Sequence, residues 1–105
     1  MKRAIAEIYF LKTDQGGRTQ PVPSMNFGCP VFFEGVAALS SHGYDCRMMV
    51  PEHGSAIALG ETISEVVIAF LYPDDVFPYL RPGVKFRLWE GKTIGYGEIL
   101  RITNG

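Results

Sequence analysis

Glycine and proline punctuate this chain so often that a helix of three turns finds almost no room. Twelve Gly and seven Pro are spread along 105 residues, and Val, Ile, Phe and Tyr crowd the gaps between them. Gly loses backbone entropy in any regular element and Pro removes a backbone donor, so the segments between them must be short. Short apolar segments bounded by turn residues are the pattern of an all-β chain. A second hydrophobic core would need roughly 50 residues of its own. With no repeat, low-complexity tract or linker to divide it, the sequence predicts one domain over residues 1–105.

The segments fall into about six strands. Arg3 to Leu11 carries strand formers and stops at the polar, glycine-containing stretch Lys12 to Arg18. Pro21, Pro23 and Pro30 exclude regular structure until about Val31; Val31 to Leu39, with Gly35 and small alanines, admits a short helix, but its flanks Pro30 and Ser40 to Gly43 fit a strand with a bulge better. Tyr44 to Val50 alternates weakly, and Pro51 to Gly60 reads as loop. Thr62 to Leu71 holds the unbroken apolar run Val66 to Leu71, which predicts a central strand buried on both faces. Beyond it, Val76, Phe77 and Leu80 are expected to plug one end of the core. Pro82-Gly83 suits the central positions of a type II turn.

Val84, Phe86 and Leu88 alternate with Lys85, Arg87 and Trp89, the mark of a half-buried strand, and Thr93 to Ile102 returns after the turn Glu90-Gly91-Lys92. Gly95 and Gly97 share one face of that last strand, where missing side chains permit a sharp bend or a close backbone approach. Six strands that must close on themselves predict a small antiparallel barrel, with Val66, Ile68, Phe70, Val84, Phe86 and Leu88 in its core.

Charge narrows the partners. Ten Lys and Arg against eleven Asp and Glu leave a formal charge of −1, without the basic excess from which most nucleic-acid binders gain affinity. No apolar run approaches the roughly 18 residues that span a bilayer, and Glu7 interrupts any signal-peptide core after Met1-Lys2-Arg3. Cys29 and Cys46 are too few for a disulfide scaffold and form no CxxC pair. The expectation is a reduced, cytoplasmic protein without a membrane partner.

Catalytic and metal-binding patterns are sparse. His42-x3-Cys46 is the one suggestive ligand spacing, and with His53 and Cys29 it lacks the second short arm of a zinc site; the cysteines read better as small buried hydrophobes. Cys29 precedes Pro30 in an apparent turn that would expose its thiol, but no triad partner is legible nearby. Asp74-Asp75 reads as a solvated turn. Gly16-Gly17-Arg18 lacks the spacing of a phosphate loop or a dinucleotide fingerprint, so GTP binding or hydrolysis is not expected. Its glycines would expose backbone amides, and Arg18 offers a planar fork of donors to a phosphate or carboxylate.

Both ends of the chain resemble a known family. Ala6-Glu7-Ile8-Tyr9-Phe10-Leu11 followed by Asp14-Gln15-Gly16-Gly17-Arg18-Thr19, and the run Gly83 to Gly97 with its Phe86, Glu90-Gly91 and Thr93-Ile94-Gly95-Tyr96-Gly97, are similar to the opening strand, Gly-Gly-Arg loop and closing hairpin of the C-terminal barrel domain of bacterial elongation factor Tu. Leu59-Gly60-Glu61 stands where that family has Pro-Gly-Asp. The resemblance implies a six-stranded antiparallel barrel of Greek-key type. It also implies a surface that helps hold the T stem of aminoacyl-tRNA and touches the nucleotide-exchange factor, GTP being bound by another domain. Carried over residue by residue, it places Gly16, Gly17, Arg18, Gly91 and Lys92 at or near a tRNA backbone.

Three functions follow as expectations. The first is a non-catalytic module that contacts a protein partner, as a regulator, adaptor or immunity-type inhibitor, with no cofactor and no metal. The second is a tRNA- or RNA-binding module, and the third a small enzyme using a loop cysteine. The surface distribution of Arg3, Arg18, Arg47, Arg81, Lys85, Arg87, Lys92 and Arg101 discriminates the first two, clustering favouring RNA and dispersal among acids favouring protein.

Overall fold

A computed structural model describes residues 2–22, 27–49 and 57–104. Six antiparallel strands, β1 (Arg3–Phe10), β2 (Phe27–Glu34), β3 (Tyr44–Met48), β4 (Thr62–Phe70), β5 (Lys85–Trp89) and β6 (Thr93–Thr103), close into a barrel in the order β1-β4-β3-β2-β5-β6. Closure leaves no strand edge to template another chain. Among the described residues, no helix is long and apolar enough to cross a membrane.

The interior is filled by the alternate residues of each strand. Ala4, Ala6, Ile8 and Phe10 of β1 meet Phe27, Val31 and Phe33 of β2, Met48 of β3, Val66, Ile68 and Phe70 of β4, and Phe86 and Leu88 of β5 in one apolar cluster. Five of the six expected core residues are buried; the sixth, Val84, is half-buried and packs on the cluster. The expected plug is also present. Pro73 opens one helical turn, α1 (Pro73–Val76), a tighter turn Phe77–Tyr79 continues it, and Val76, Phe77 and Leu80 close one end of the core. Asp74 and Asp75 lie exposed in that first helical turn, where carboxylates are favoured by the helix dipole. Gly83 has φ +96°, as the second central residue of a type II turn requires.

The two glycines of β6 make room for two different neighbours. Gly97 pairs with Phe86, and a Cβ on it would lie 2.3 Å from Cζ of that ring. Gly95 pairs with Leu88, and a Cβ there would lie 2.6 Å from the Tyr9 carbonyl oxygen. Gly95 thus permits a close backbone approach, while Gly97 holds space for a ring.

Three expectations are corrected. Regular structure resumes at Phe27, before Val31, with Pro30 inside β2. Pro30 faces Asp45, whose carbonyl accepts from Leu71 N–H on its other side, and the pairing of β2 with β5 begins only at Val31. No ladder hydrogen bond is lost at a nitrogen so placed. Secondly, β2 stops at Glu34: Gly35 turns the chain at φ +73° and a short helical turn, Ala37–Leu39, drops Leu39 into the core. Thirdly, β4 is not buried on both faces. Val66, Ile68 and Phe70 point inward, whereas Val67 and Ala69 are half-buried outside and Leu71 is 62% exposed. A closed barrel has solvent around it and no central strand. The bulge of β4 against β1 places Glu65 at φ +62°, where its carboxylate bonds the Arg101 guanidinium. Pro51, His53 and Pro23 lie outside the described residues.

Candidate functional site

The five residues proposed from the sequence divide into one group that shapes a loop and another that lines a surface. After β1, Thr13–Gln15 forms one helical turn, and the Gln15 side-chain oxygen accepts from Lys12 N–H at 2.8 Å and from the Tyr9 hydroxyl at 2.7 Å. Gly16 then takes φ +92°, a conformation costly for any side chain. Gly17 passes so close to Leu11 that a Cβ would lie 2.3 Å from its carbonyl oxygen. Their amides are not exposed: Gly16 N–H donates to Thr13 O and Gly17 N–H to Lys12 O, each at 3.0 Å. Both glycines therefore serve the path of the chain.

That path delivers Arg18 to the β5–β6 turn. Its Nη1 donates to both carboxylate oxygens of Glu90, at 2.8 and 2.7 Å, and its Nε donates to Gln20 O at 3.1 Å. The guanidinium lies 4.8 Å from the centroid of the Phe27 ring, and the side chain is only 17% exposed. Across the turn, Glu90 N–H donates to Lys92 O at 2.8 Å while Gly91 takes φ +71°. The result is a shallow cavity of about 270 Å³ lined by Arg18, Thr19, Gln20, Glu90 and Lys92. The fold thus brings Arg18 and Lys92 to one place, with Glu90 at the same cavity bonded to Nη1 of Arg18.

A larger groove was not foreseen. It has a volume of about 550 Å³ on the outer face of β2, β3 and β4, where Gly28, Pro30, Met49, Ala69 and Leu71 give an apolar lining and Asp45 and Arg47 a charged one. The signal for it was present in the apolar run of β4, since apolar residues at consecutive strand positions must put alternate ones outside a closed barrel.

The structure places the cysteines inside the barrel wall instead of in an exposed loop. Cys29 stands in β2 instead of a turn, faces inward at 7% exposure, and pairs directly with Cys46, at 5% exposure, on β3. The hydrogen bond to Cys29, together with burial, pushes the Cys46 thiol well above its ordinary value. His42 is exposed, its ring 4.3 Å from that of Tyr44 and tilted by 39°, so the His42-x3-Cys46 spacing joins an outer loop to the interior. Among the described residues, no three His, Cys, Asp or Glu side chains group as metal ligands.

No protein-family model matches the sequence, and no curated protein matches it.

Proposed function

We propose that this chain is a non-catalytic binding module whose rigid barrel presents its loops and outer faces to a protein partner. The observation that carries this reading is the dispersal of its cations among acids. Arg18 is paired with Glu90, Arg87 with Glu34 at 3.8 Å, and Arg101 with Glu65. Lys85 stands in register with Glu34 on one side and Glu98 on the other. Cations neutralised by acids in this way attract a phosphate backbone less, whereas mixed charge around apolar patches suits a protein surface.

The second reading, tRNA binding, draws on the meeting of Arg18 and Lys92 at one cavity and on the likeness to the elongation factor Tu barrel. The crossovers that pair β1 with β4 and β2 with β5 are of a kind a Greek-key barrel contains. Titration of tRNA against the full chain and against the double variant Arg18→Ala, Lys92→Ala at two salt concentrations separates the readings. The protein-binding reading expects weak binding, equal in the two proteins, alongside stoichiometric capture of a protein from the host lysate that survives ribonuclease. Tight binding that the double variant loses, with the salt slope flattened by about one unit per phosphate contact, would establish the tRNA reading instead.

A further inference from the structure

The direct pairing of Cys29 with Cys46 across β2 and β3 is used by neither reading of function. Its geometry can be built from the ladder. Pro30 has no N–H and the Asp45 carbonyl accepts from β4, so Pro30 and Asp45 are a non-hydrogen-bonded pair. Antiparallel pairs alternate, and Cys29 and Cys46 are therefore a hydrogen-bonded pair, with Cα atoms about 5.5 Å apart. Disulfides span Cα separations of about 4.4 to 6.8 Å. Direct partners also project to the same face, here the interior, so the two sulfurs face each other. Both cysteines are free thiols.

We propose that Cys29 and Cys46 are a modification site, a thiol pair that hydrogen peroxide converts to an intramolecular disulfide within the folded barrel. One thiol attacks the peroxide, its sulfur gaining oxygen as the O–O bond breaks and one water leaves. The facing thiol then displaces the resulting sulfenic hydroxyl as a second water, forming the S–S bond. Two thiols and one peroxide give one disulfide and two waters, the sulfurs being oxidised and the peroxide oxygens reduced.

Both cysteines are among the residues that border the outer groove, beside Gly28, which carries no side chain, while their thiols point inward. Rate is set by the thiols themselves. Burial and the hydrogen bond to Cys29 keep the Cys46 thiol protonated, and fixed proximity makes closure of the bond faster than a second oxidation. The pair therefore stops at the disulfide.

The test uses the purified, reduced full chain, treated with excess hydrogen peroxide without denaturant, alkylated with iodoacetamide and weighed intact. Cleavage after Glu34, which lies between the two cysteines and is exposed, then maps the product. The expected result is a monomer lighter by about 2 Da, unreactive to alkylation, whose two fragments stay joined until dithiothreitol separates them. A melting temperature raised by roughly 4 °C or more should accompany the linkage, because the bond restricts the unfolded chain. A Cys46→Ala variant should give oxygen adducts or alkylation at Cys29 in place of the link. If that variant does not fold, the fragment map of the unsubstituted protein still decides. Alkylation of both cysteines after peroxide, separate oxygen adducts, a covalent dimer, or linkage only in denaturant would each overturn the proposal.

Discussion

Two walls of the barrel use small residues in opposite ways. In the β5–β6 wall each small residue faces a large one: Gly97 lies under Phe86, whose ring takes the volume that glycine gives up, and Gly95 stands opposite Leu88 with the Tyr9 carbonyl close against it. In the β2–β3 wall small faces small at Cys29 and Cys46 inside, and outside Gly28 and Pro30 line a groove of about 550 Å³, larger than the cavity of about 250 Å³ beside Lys85, Tyr96 and Glu98 on the other wall. The first arrangement fixes the shape of the barrel. The second leaves surface relief and a reactive pair, which is where a rigid scaffold has latitude to carry function.

The largest test of this contrast is on the filled wall. Phe86→Ala removes a ring that is 1% exposed and should cost about 3 to 5 kcal/mol in a denaturant titration, through lost burial and a cavity. Gly97→Ala drives a methyl into the same ring and should cost about 1 to 3 kcal/mol. Because the methyl enters the space the ring vacates, the double variant should be less destabilised than the sum of the two. Strict additivity would show that the glycine serves the bend of the strand and not the ring.

How far the fold could be read from the chain follows the same division. The hairpin of β5 and β6 was legible because large inward residues alternate with charged ones, and the paired glycines marked a tight approach. In β2, the proline and glycine that signal a break in most contexts stand where the ladder asks nothing of Pro30 and where Gly28 faces solvent. That depends on which strands flank Pro30, a tertiary fact. Likewise the apolar run of β4 was legible as strand, but its exposed side depends on closure. Of the candidate site, Arg18 and the Gly91-Lys92 turn could each be singled out in the sequence, but that Arg18 and Lys92 line one cavity is a tertiary fact. The role of Glu90 was not legible, because an ion pair across 72 residues of chain has no local signature.

That ion pair gives a test of intermediate size. A double-mutant cycle of Arg18→Ala and Glu90→Ala should return a coupling of about 0.5 to 1 kcal/mol, lowered by salt, as expected of a partly exposed pair. Arg18→Ala alone should cost more than Glu90→Ala alone, since Arg18 also lies on Phe27 and bonds Gln20. Equal single effects would mean that the ring contact contributes nothing and that Arg18 is held by Glu90 only.

The smallest expected effect falls on the groove wall and closes the comparison. A Cβ on Gly28 would meet the Cys46 carbonyl oxygen at 3.5 Å and Arg47 Nη2 at 3.9 Å, both ordinary contacts, and its φ lies outside the left-handed region. Gly28→Ala should therefore shift stability by no more than about 0.5 kcal/mol, in contrast to Gly97→Ala, although both replace a strand glycine by the same residue. Differential scanning calorimetry of the two variants side by side makes the measurement. Matching losses would mean that the β2–β3 wall is as tightly filled as the β5–β6 wall, and the groove would then be a consequence of strand curvature instead of small side chains. A neutral Gly28→Ala that also slows peroxide linkage of Cys29 and Cys46 would join the two properties of this wall, because the added methyl would narrow the groove without disturbing the ladder beneath it.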